Sequence, residues 1–169
     1  MESSGELANI RARNFDSARY NSGFDYMIWG DYYVDNKTGN RISSGVGLVG
    51  SPGFMVTVGK TYWGGANSDI RVGTFIHELG HNLNLKHGGT NDENGKPQYY
   101  SVMNYNYQLT GIPKADGTKY FGYLQQDMPT LKEWALDERK GFGPQARGYM
   151  YRPNSEAVLR PADGPVDLN

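Results

Sequence analysis

The stretch HELGHNLNLKH, residues 77–87, constrains this chain more than any other, because it contains all three of its histidines. His77 and His81 are four residues apart, and His87 follows six residues later. Residues four apart on an α-helix lie one above the other, about 6 Å along the axis. The first two imidazoles can therefore face a common metal ion.

A third ligand requires the helix to end shortly after His81. In a continuous helix His87 would lie about 9 Å further along the axis and on another face. A helix that stops abruptly usually has a residue with left-handed backbone geometry just past its end. Glycine is the most common residue there, and asparagine is the next most common. Asn84 can take that position after Leu83, at a cost of about 1 kcal/mol relative to glycine. We therefore expect His77, His81 and His87 to bind one Zn²⁺, since three neutral imidazoles with an open fourth position suit zinc.

Glu78 has a different predicted role from the histidines. It is rotated by about 100° from His77 on the helix, so it is better placed to reach a metal-held water than the metal. Two anchors and a base are what metal-assisted hydrolysis requires. A rival arrangement, in which Glu93 or Glu133 replaces His87 as third ligand, is disfavoured by the offset of His87.

Two further motifs carry a resemblance to a known clan. Residues 77–87 resemble the long zinc motif of the metzincin zinc endopeptidases, from which they depart at Asn84. The sequence SVMNY, residues 101–105, is similar to the Met-turn of astacins and serralysins. Gly88-Gly89 and PTL, residues 129–131, resemble a group of bacterial metzincin-like proteins. The specific likeness covers about residues 74–105.

The resemblance implies an α+β fold over a single catalytic domain, residues 1–169. A twisted mixed sheet with backing and active-site helices would form an upper subdomain, about 1–88. A small irregular C-terminal subdomain, about 89–169, would contain the Met-turn and a helix. Met103 would lie in the apolar floor of the site.

The resemblance also implies an activity. A zinc-activated water would hydrolyse peptide bonds, with Glu78 as general base and acid and Tyr105 as a hydrogen-bond donor to the oxyanion. An extended polypeptide substrate would add itself as a strand beside residues 54–58. A monomeric, secreted or extracellular bacterial protein is expected, although the chain shows no signal peptide.

Composition limits the other function classes. A net charge of −1, from 17 basic and 18 acidic residues, gives no electrostatic basis for binding nucleic acid or an anionic membrane. The absence of cysteine excludes disulfides. Ca²⁺ is possible, but no motif supports it, because DNKTGN at 35–40 has turn chemistry without calcium-ligand spacing. Two alternatives stay open: a zinc-containing binding or adhesion module, and a latent form without proteolytic turnover.

Hydrophobic patterns predict the main elements. They give a helix over 6–20, strands over 24–34 and 53–63, and a helix over 70–83. The last helix should bury a stripe on the side opposite its histidines, formed by Val72, Phe75, Ile76, Leu79 and Leu83. A capping box at Thr130 and Glu133 predicts a helix over 130–141, followed by an extended tail.

Overall fold

The computed structural model describes residues 3–35, 38–128, 130–135, 137–152 and 158–166, which combine short helices with small sheets. The helices are α1 (Ser3–Asn14), α2 (Ser17–Asn21), α3 (Lys60–Trp63), α4 (Ser68–Asn82) and α5 (Tyr105–Gln108). The strands are β1 (Met27–Trp29), β2 (Gly45–Gly47), β3 (Phe54–Val56), β4 (Ile112–Pro113), β5 (Lys119–Tyr120), β6 (Met150–Tyr151) and β7 (Arg160–Pro161). The mixed content of helix and strand agrees at a coarse level with the predicted α+β class.

The largest sheet has three strands in the order β1-β3-β2. β3 runs parallel to β1, with Met27 opposite Phe54, and antiparallel to β2, with Val46 opposite Met55. Both edges of β3 are therefore paired, and the expectation that a substrate strand pairs with residues 54–58 is wrong. Within the described residues, the edge that is free beside α4 belongs to β2.

The elements before α4 are shorter than the sequence predicts. The helix expected over 6–20 is divided into α1 and α2, because Asp16 Oδ1 accepts the Ala18 N–H at 2.9 Å and starts a new helix. The strand expected over 24–34 is only β1. The strand expected over 53–63 ends at β3, and its last residues form α3, whose Thr61 N–H bonds to Asp31 Oδ1 at 3.1 Å.

α4 is the element that the sequence predicts best. It begins two residues before the expected start, where Asn67 Oδ1 accepts the Ile70 N–H at 3.0 Å. One of its faces packs on the sheet through Phe75, whose ring is 5.3 Å from that of Phe54.

The predicted core stripe of α4 is wrong at its two ends. Val72 is 44% exposed and Leu83 is 57% exposed, whereas His77, Glu78 and His81 are buried. The reason is that α4 packs on both sides, since it also contacts β2 and the segment from residue 101 onward. Burial of the histidines therefore comes from contacts that are remote in sequence.

The described residues of 130–141, which are 130–135 and 137–141, contain no α-helix, contrary to the prediction. Two 3-10 turns, Glu133–Ala135 and Glu138–Lys140, replace it. Asp137 between them is extended, and its carboxylate accepts the Arg139 N–H at 3.3 Å. Such local bonds compete with helix formation. Trp134 is 84% exposed, so packing does not compensate.

Buried hydrophobic residues of the described ranges form two clusters. The first lies between the sheet, α3 and α4, and consists of Phe54, Val56, Val58 and Ala66. The second draws on the C-terminal part of the chain and consists of Tyr100, Tyr107, Ile112, Phe142, Ala146, Tyr151, Ala162 and Val166. The segment after residue 142, expected as an extended tail, thus contributes to a core and forms the β6–β7 pair. No helix among the described residues is long and apolar enough to cross a membrane.

Candidate metal centre

The end of α4 turns the chain back towards its own histidines. Asn84 has φ of 68° and is the one non-glycine residue with positive φ in the described part of the chain. The Leu85 N–H bonds to Gly80 O at 2.9 Å, and the Asn84 N–H bonds to His81 O at 2.9 Å. These are the two hydrogen bonds of a Schellman motif. The predicted left-handed helix end at Asn84 is therefore confirmed.

This turn brings the three histidines together. One ring nitrogen from each lies within 4.8 Å of the others, in a group formed by His77, His81 and His87. A tetrahedral zinc bound at about 2.0–2.1 Å needs ligand nitrogens about 3.3 Å apart. The separations therefore fit one ion after side-chain movements of no more than about 1.5 Å.

The orientation of each imidazole is fixed through its Nδ1. The Nδ1 of His77 donates to Val102 O at 2.8 Å, and that of His81 donates to Leu85 O at 2.9 Å. A carbonyl oxygen can only accept, so these rings carry their proton on Nδ1. Their Nε2 atoms keep a free lone pair, which is the arrangement found in metal-binding histidines.

His87 is oriented by a carboxylate instead. Its Nδ1 lies 2.6 Å from Asp92 Oδ1. The hydrogen bond from His87 holds the pKa of Asp92 below its ordinary value, so the acceptor is charged. Asp92 was not among the residues predicted for the site. An aspartate in a polar loop has no distinctive spacing, and its role depends on how the loop folds.

Burial keeps two of the histidines neutral. It lowers the pKa of His77 from 6.5 to about 3 and also lowers the pKa of His81. A neutral imidazole is the form that binds a cation. The site is therefore ready to bind a metal ion at neutral pH without first losing protons from these two rings.

The side chain of Glu78 extends from α4 towards β2. A Cβ added to Gly45 would lie 2.7 Å from Glu78 Oε1, and one added to Gly47 would lie 2.8 Å from His81 Cβ. These two glycines therefore allow α4 to approach β2 closely. Burial raises the pKa of Glu78 to about 8, which is within the range of a usable general base or acid.

Residues 101–104 form a tight turn beneath α4, closed by the Asn104 N–H bonding to Ser101 O at 3.0 Å. Met103 in this turn is fully buried and lies against Gly80, where an added Cβ would overlap its sulfur. The turn also supplies Val102 O, the acceptor for His77. The turn therefore packs against α4 at Gly80, which lies between His77 and His81 in the sequence.

Tyr105 follows this turn and lies beside the histidines. Its ring centroid is 5.4 Å from that of His77 and 4.5 Å from that of His87. Tyr105 is about half exposed, and its partial desolvation, followed by the nearby Glu78 carboxylate, raises its pKa. Its hydroxyl group therefore stays protonated at neutral pH and can donate a hydrogen bond.

A second tyrosine near Glu78 was not identified from the sequence. The Tyr33 hydroxyl donates to Gly45 O at 3.4 Å. Burial raises the pKa of Tyr33, and Glu78 contributes to the shift. Its approach to Glu78 depends on how the segment after β1 packs and not on its distance from residue 78 in the sequence.

Of the two glutamates considered as rival ligands, the one whose side chain is described, Glu93, does not belong to the histidine cluster. Glu93 Oε2 lies 3.6 Å from Lys96 Nζ, in an ion pair. The side chain of Glu133 lies outside the described part of the structure. Among the side chains that are described, the group that could hold a metal is the three histidines.

Comparison with known proteins gave no match: no family model, no curated protein and no solved structure is similar to this chain at a significant level.

Proposed function

We propose that this chain is a zinc-dependent endopeptidase of metzincin-like type, with His77, His81 and His87 as metal ligands. The observation that carries the proposal is the convergence of three imidazoles whose Nδ1 atoms are all engaged, which leaves three Nε2 atoms for one ion. Three nitrogen donors, with no fourth ligand among the side chains that the structure describes, are typical of catalytic zinc rather than structural zinc. The donor set therefore fits Zn²⁺.

Zinc, when bound, would supply Lewis-acid activation of a water molecule and of the scissile carbonyl. Glu78 would accept the proton of the attacking water and deliver it to the leaving amine. Its burial against β2 excludes bulk water from the carboxylate. A cation nearby would lower the raised pKa of Glu78, because opposite charge favours the ionised form.

Tyr105 would donate its hydroxyl proton in a hydrogen bond to the carbonyl oxygen as negative charge develops there. Its ring stacks on His77 and tilts against His87, so it lies directly beside two of the proposed metal ligands. A phenol is protonated at neutral pH, and partial desolvation and Glu78 raise the pKa of Tyr105 further.

The substrate would be an extended polypeptide that pairs with β2. Thr57 N–H bonds to Ser44 O, and Leu48 N–H bonds to Gly53 O, so alternate residues of this segment face β3. In an antiparallel ladder the intervening residues, Gly45 and Gly47, direct their N–H and C=O groups to the edge that is not paired with another strand. Gly45 O there accepts from the Ser43 and Tyr33 hydroxyls, and a substrate N–H would replace these donors. An added strand would therefore lie next to Glu78.

The test is digestion of a mixed peptide library by the zinc-loaded protein, read by mass spectrometry, with Glu78→Ala in parallel. We expect cleavage products from the unaltered chain alone, and equal zinc content in both proteins. Cleavage by Glu78→Ala would contradict the assigned base. Absence of cleavage by either protein, with zinc bound, would favour a binding module or a latent form.

A further inference from the structure

The loop that follows His87, residues 88–96, is closed around the ammonium group of its own Lys96. Lys96 Nζ donates to Asn91 Oδ1 at 2.8 Å and to Gly88 O at 3.2 Å, and it lies 3.6 Å from Glu93 Oε2. The Lys96 side chain is only 22% exposed. An ammonium group has three N–H donors, and three oxygens of one loop surround this one.

Gly88 shows how tightly the loop is closed. A Cβ at this position would lie 2.9 Å from Lys96 Nζ and would overlap Glu93 O and Asn91 Oδ1. The Gly88 N–H also bonds to Asn91 O at 2.9 Å, and the Glu93 N–H bonds to Asn91 Oδ1 at 3.2 Å. The oxygens that face the ammonium therefore belong to one bonded unit.

The same loop contacts both sides of the candidate metal centre. Asp92, the acceptor for His87 Nδ1, lies between the two residues whose side chains face the ammonium. At the other end, Asn94 Oδ1 accepts the Tyr105 N–H at 3.0 Å. Lys96 O accepts from Nδ2 of the buried Asn104 at 2.9 Å.

We infer that Lys96 is a positioning residue for the metal centre: its ammonium is a built-in cation that fixes the loop and thereby holds Asp92 against His87. Oxygen-lined loops of this kind can be organised by a bound Ca²⁺. Here the positive charge is covalently part of the chain, so this loop needs no calcium to keep the third ligand in place. The inference rests on the metal-binding part of the proposed function and is independent of peptide hydrolysis.

The first test is the zinc affinity of Lys96→Met, measured by competition with a chromophoric chelator. Methionine has a similar length without the charge, so we expect zinc binding to weaken by about 10–100-fold, the range typical for loss of groups that orient a ligand. Lys119→Met is the matched control. Lys119 Nζ lies 2.6 Å from Asp69 Oδ2, in an ion pair that does not involve the loop. Equal zinc affinity in the unaltered chain and Lys96→Met would overturn the inference and leave the metal centre standing. Failure of the unaltered chain to bind zinc would overturn both.

A double-mutant cycle separates an effect through His87 from a general loss of structure. If Lys96 acts through His87, then Lys96→Met should weaken zinc binding much less in a His87→Ala background. Equal losses in both backgrounds would contradict the proposed route. Should Lys96→Met fail to fold, as judged by circular dichroism of the metal-free protein, Lys96→Gln provides the neutral side chain for the same cycle.

Chemical rescue tests the charge itself. The chain contains no cysteine, so Lys96→Cys offers one thiol for alkylation. Aminoethylation rebuilds a lysine-like ammonium at residue 96, whereas carbamidomethylation gives a neutral side chain of similar size. We expect the aminoethylated protein to regain zinc affinity and the carbamidomethylated one to remain weakened. Equal affinities for the two alkylated forms would overturn the role of the charge.

Discussion

Asn84 determines where the third histidine lies, because its left-handed backbone ends α4 and reverses the chain. Left-handed geometry costs alanine more than asparagine, and glycine least. We expect Asn84→Ala to lower the free energy of unfolding by about 1 kcal/mol and Asn84→Gly to leave it unchanged or slightly raised. Urea denaturation of the metal-free proteins measures both. A glycine variant less stable than the alanine variant would show that the side chain, and not the backbone, matters here.

Tyr105 is the residue whose hydroxyl we assign to the oxyanion. Removing one such donor typically lowers kcat by about 10²–10³-fold. We expect Tyr105→Phe to show a loss of this size against a cleavable peptide, with zinc affinity reduced far less. Tyr32→Phe, which removes a hydroxyl from an exposed tyrosine paired with Tyr62, is the control. Unchanged kcat in Tyr105→Phe would restrict Tyr105 to packing against the histidine rings.

The contact between α4 and β2 depends on glycine at two strand positions. An added methyl group at Gly45 would overlap Met55 O of β3 and the Glu78 carboxylate, and one at Gly47 would overlap Glu78 O and His81 Cβ. Overpacking of this kind costs about 1–3 kcal/mol. We therefore expect Gly45→Ala to lower the free energy of unfolding by this amount and to displace Glu78, so that peptide cleavage falls more than stability alone explains.

The matched control for Gly45→Ala is Gly164→Ala, whose added methyl group would make only an ordinary contact, 3.7 Å from Pro161 O. Thermal denaturation and peptide turnover should be compared for both variants. If Gly45→Ala and Gly164→Ala give the same thermal midpoint and the same peptide turnover, then the close contact between α4 and β2 is contradicted.

Elements that depend on local signals were predicted well, and those that depend on remote contacts were not. The prediction of α4 and of its end at Asn84 rested on a repeat of apolar residues and on one residue that tolerates positive φ. The prediction of a helix over 130–141 was wrong although its capping box is a local signal. The Asp137 carboxylate accepts the backbone N–H of Arg139 and so competes with helix formation. The assignment of the substrate edge failed because strand order cannot be read from strand sequences.

The same distinction applies to the candidate site. Residues 77–87 fold into one helix and one turn, so their spacing alone predicted that three histidines would meet. Asp92, Tyr33 and the β2 glycines approach this group only through loop closure and sheet order. Nothing in their local sequence distinguishes them from ordinary turn or strand residues.

At the scale of the whole molecule, the C-terminal core is rich in buried tyrosines. Burial raises the pKa of Tyr100 and of Tyr107 well above the ordinary value of 10. In the unfolded chain these groups lose their protons near pH 10, whereas in the folded chain they keep them to higher pH. Their contribution to stability is therefore complete below about pH 10 and is lost as the pH rises above it.

We accordingly expect the thermal midpoint of the metal-free protein to fall steeply above about pH 10, together with a late rise in tyrosinate absorbance. Differential scanning fluorimetry from pH 8 to pH 12 and ultraviolet titration measure the two effects. A thermal midpoint that stays constant through this range would contradict the burial of these hydroxyl groups.

The central claim, that three histidines form a catalytic zinc centre, is tested most directly by X-ray absorption spectroscopy of the zinc-loaded protein. We predict one zinc per chain, bound by three imidazole nitrogens at about 2.0–2.1 Å and by one non-protein oxygen. His87→Ala should reduce the imidazole count to two. A fourth protein ligand would make the site structural, and failure to bind zinc would contradict the account altogether.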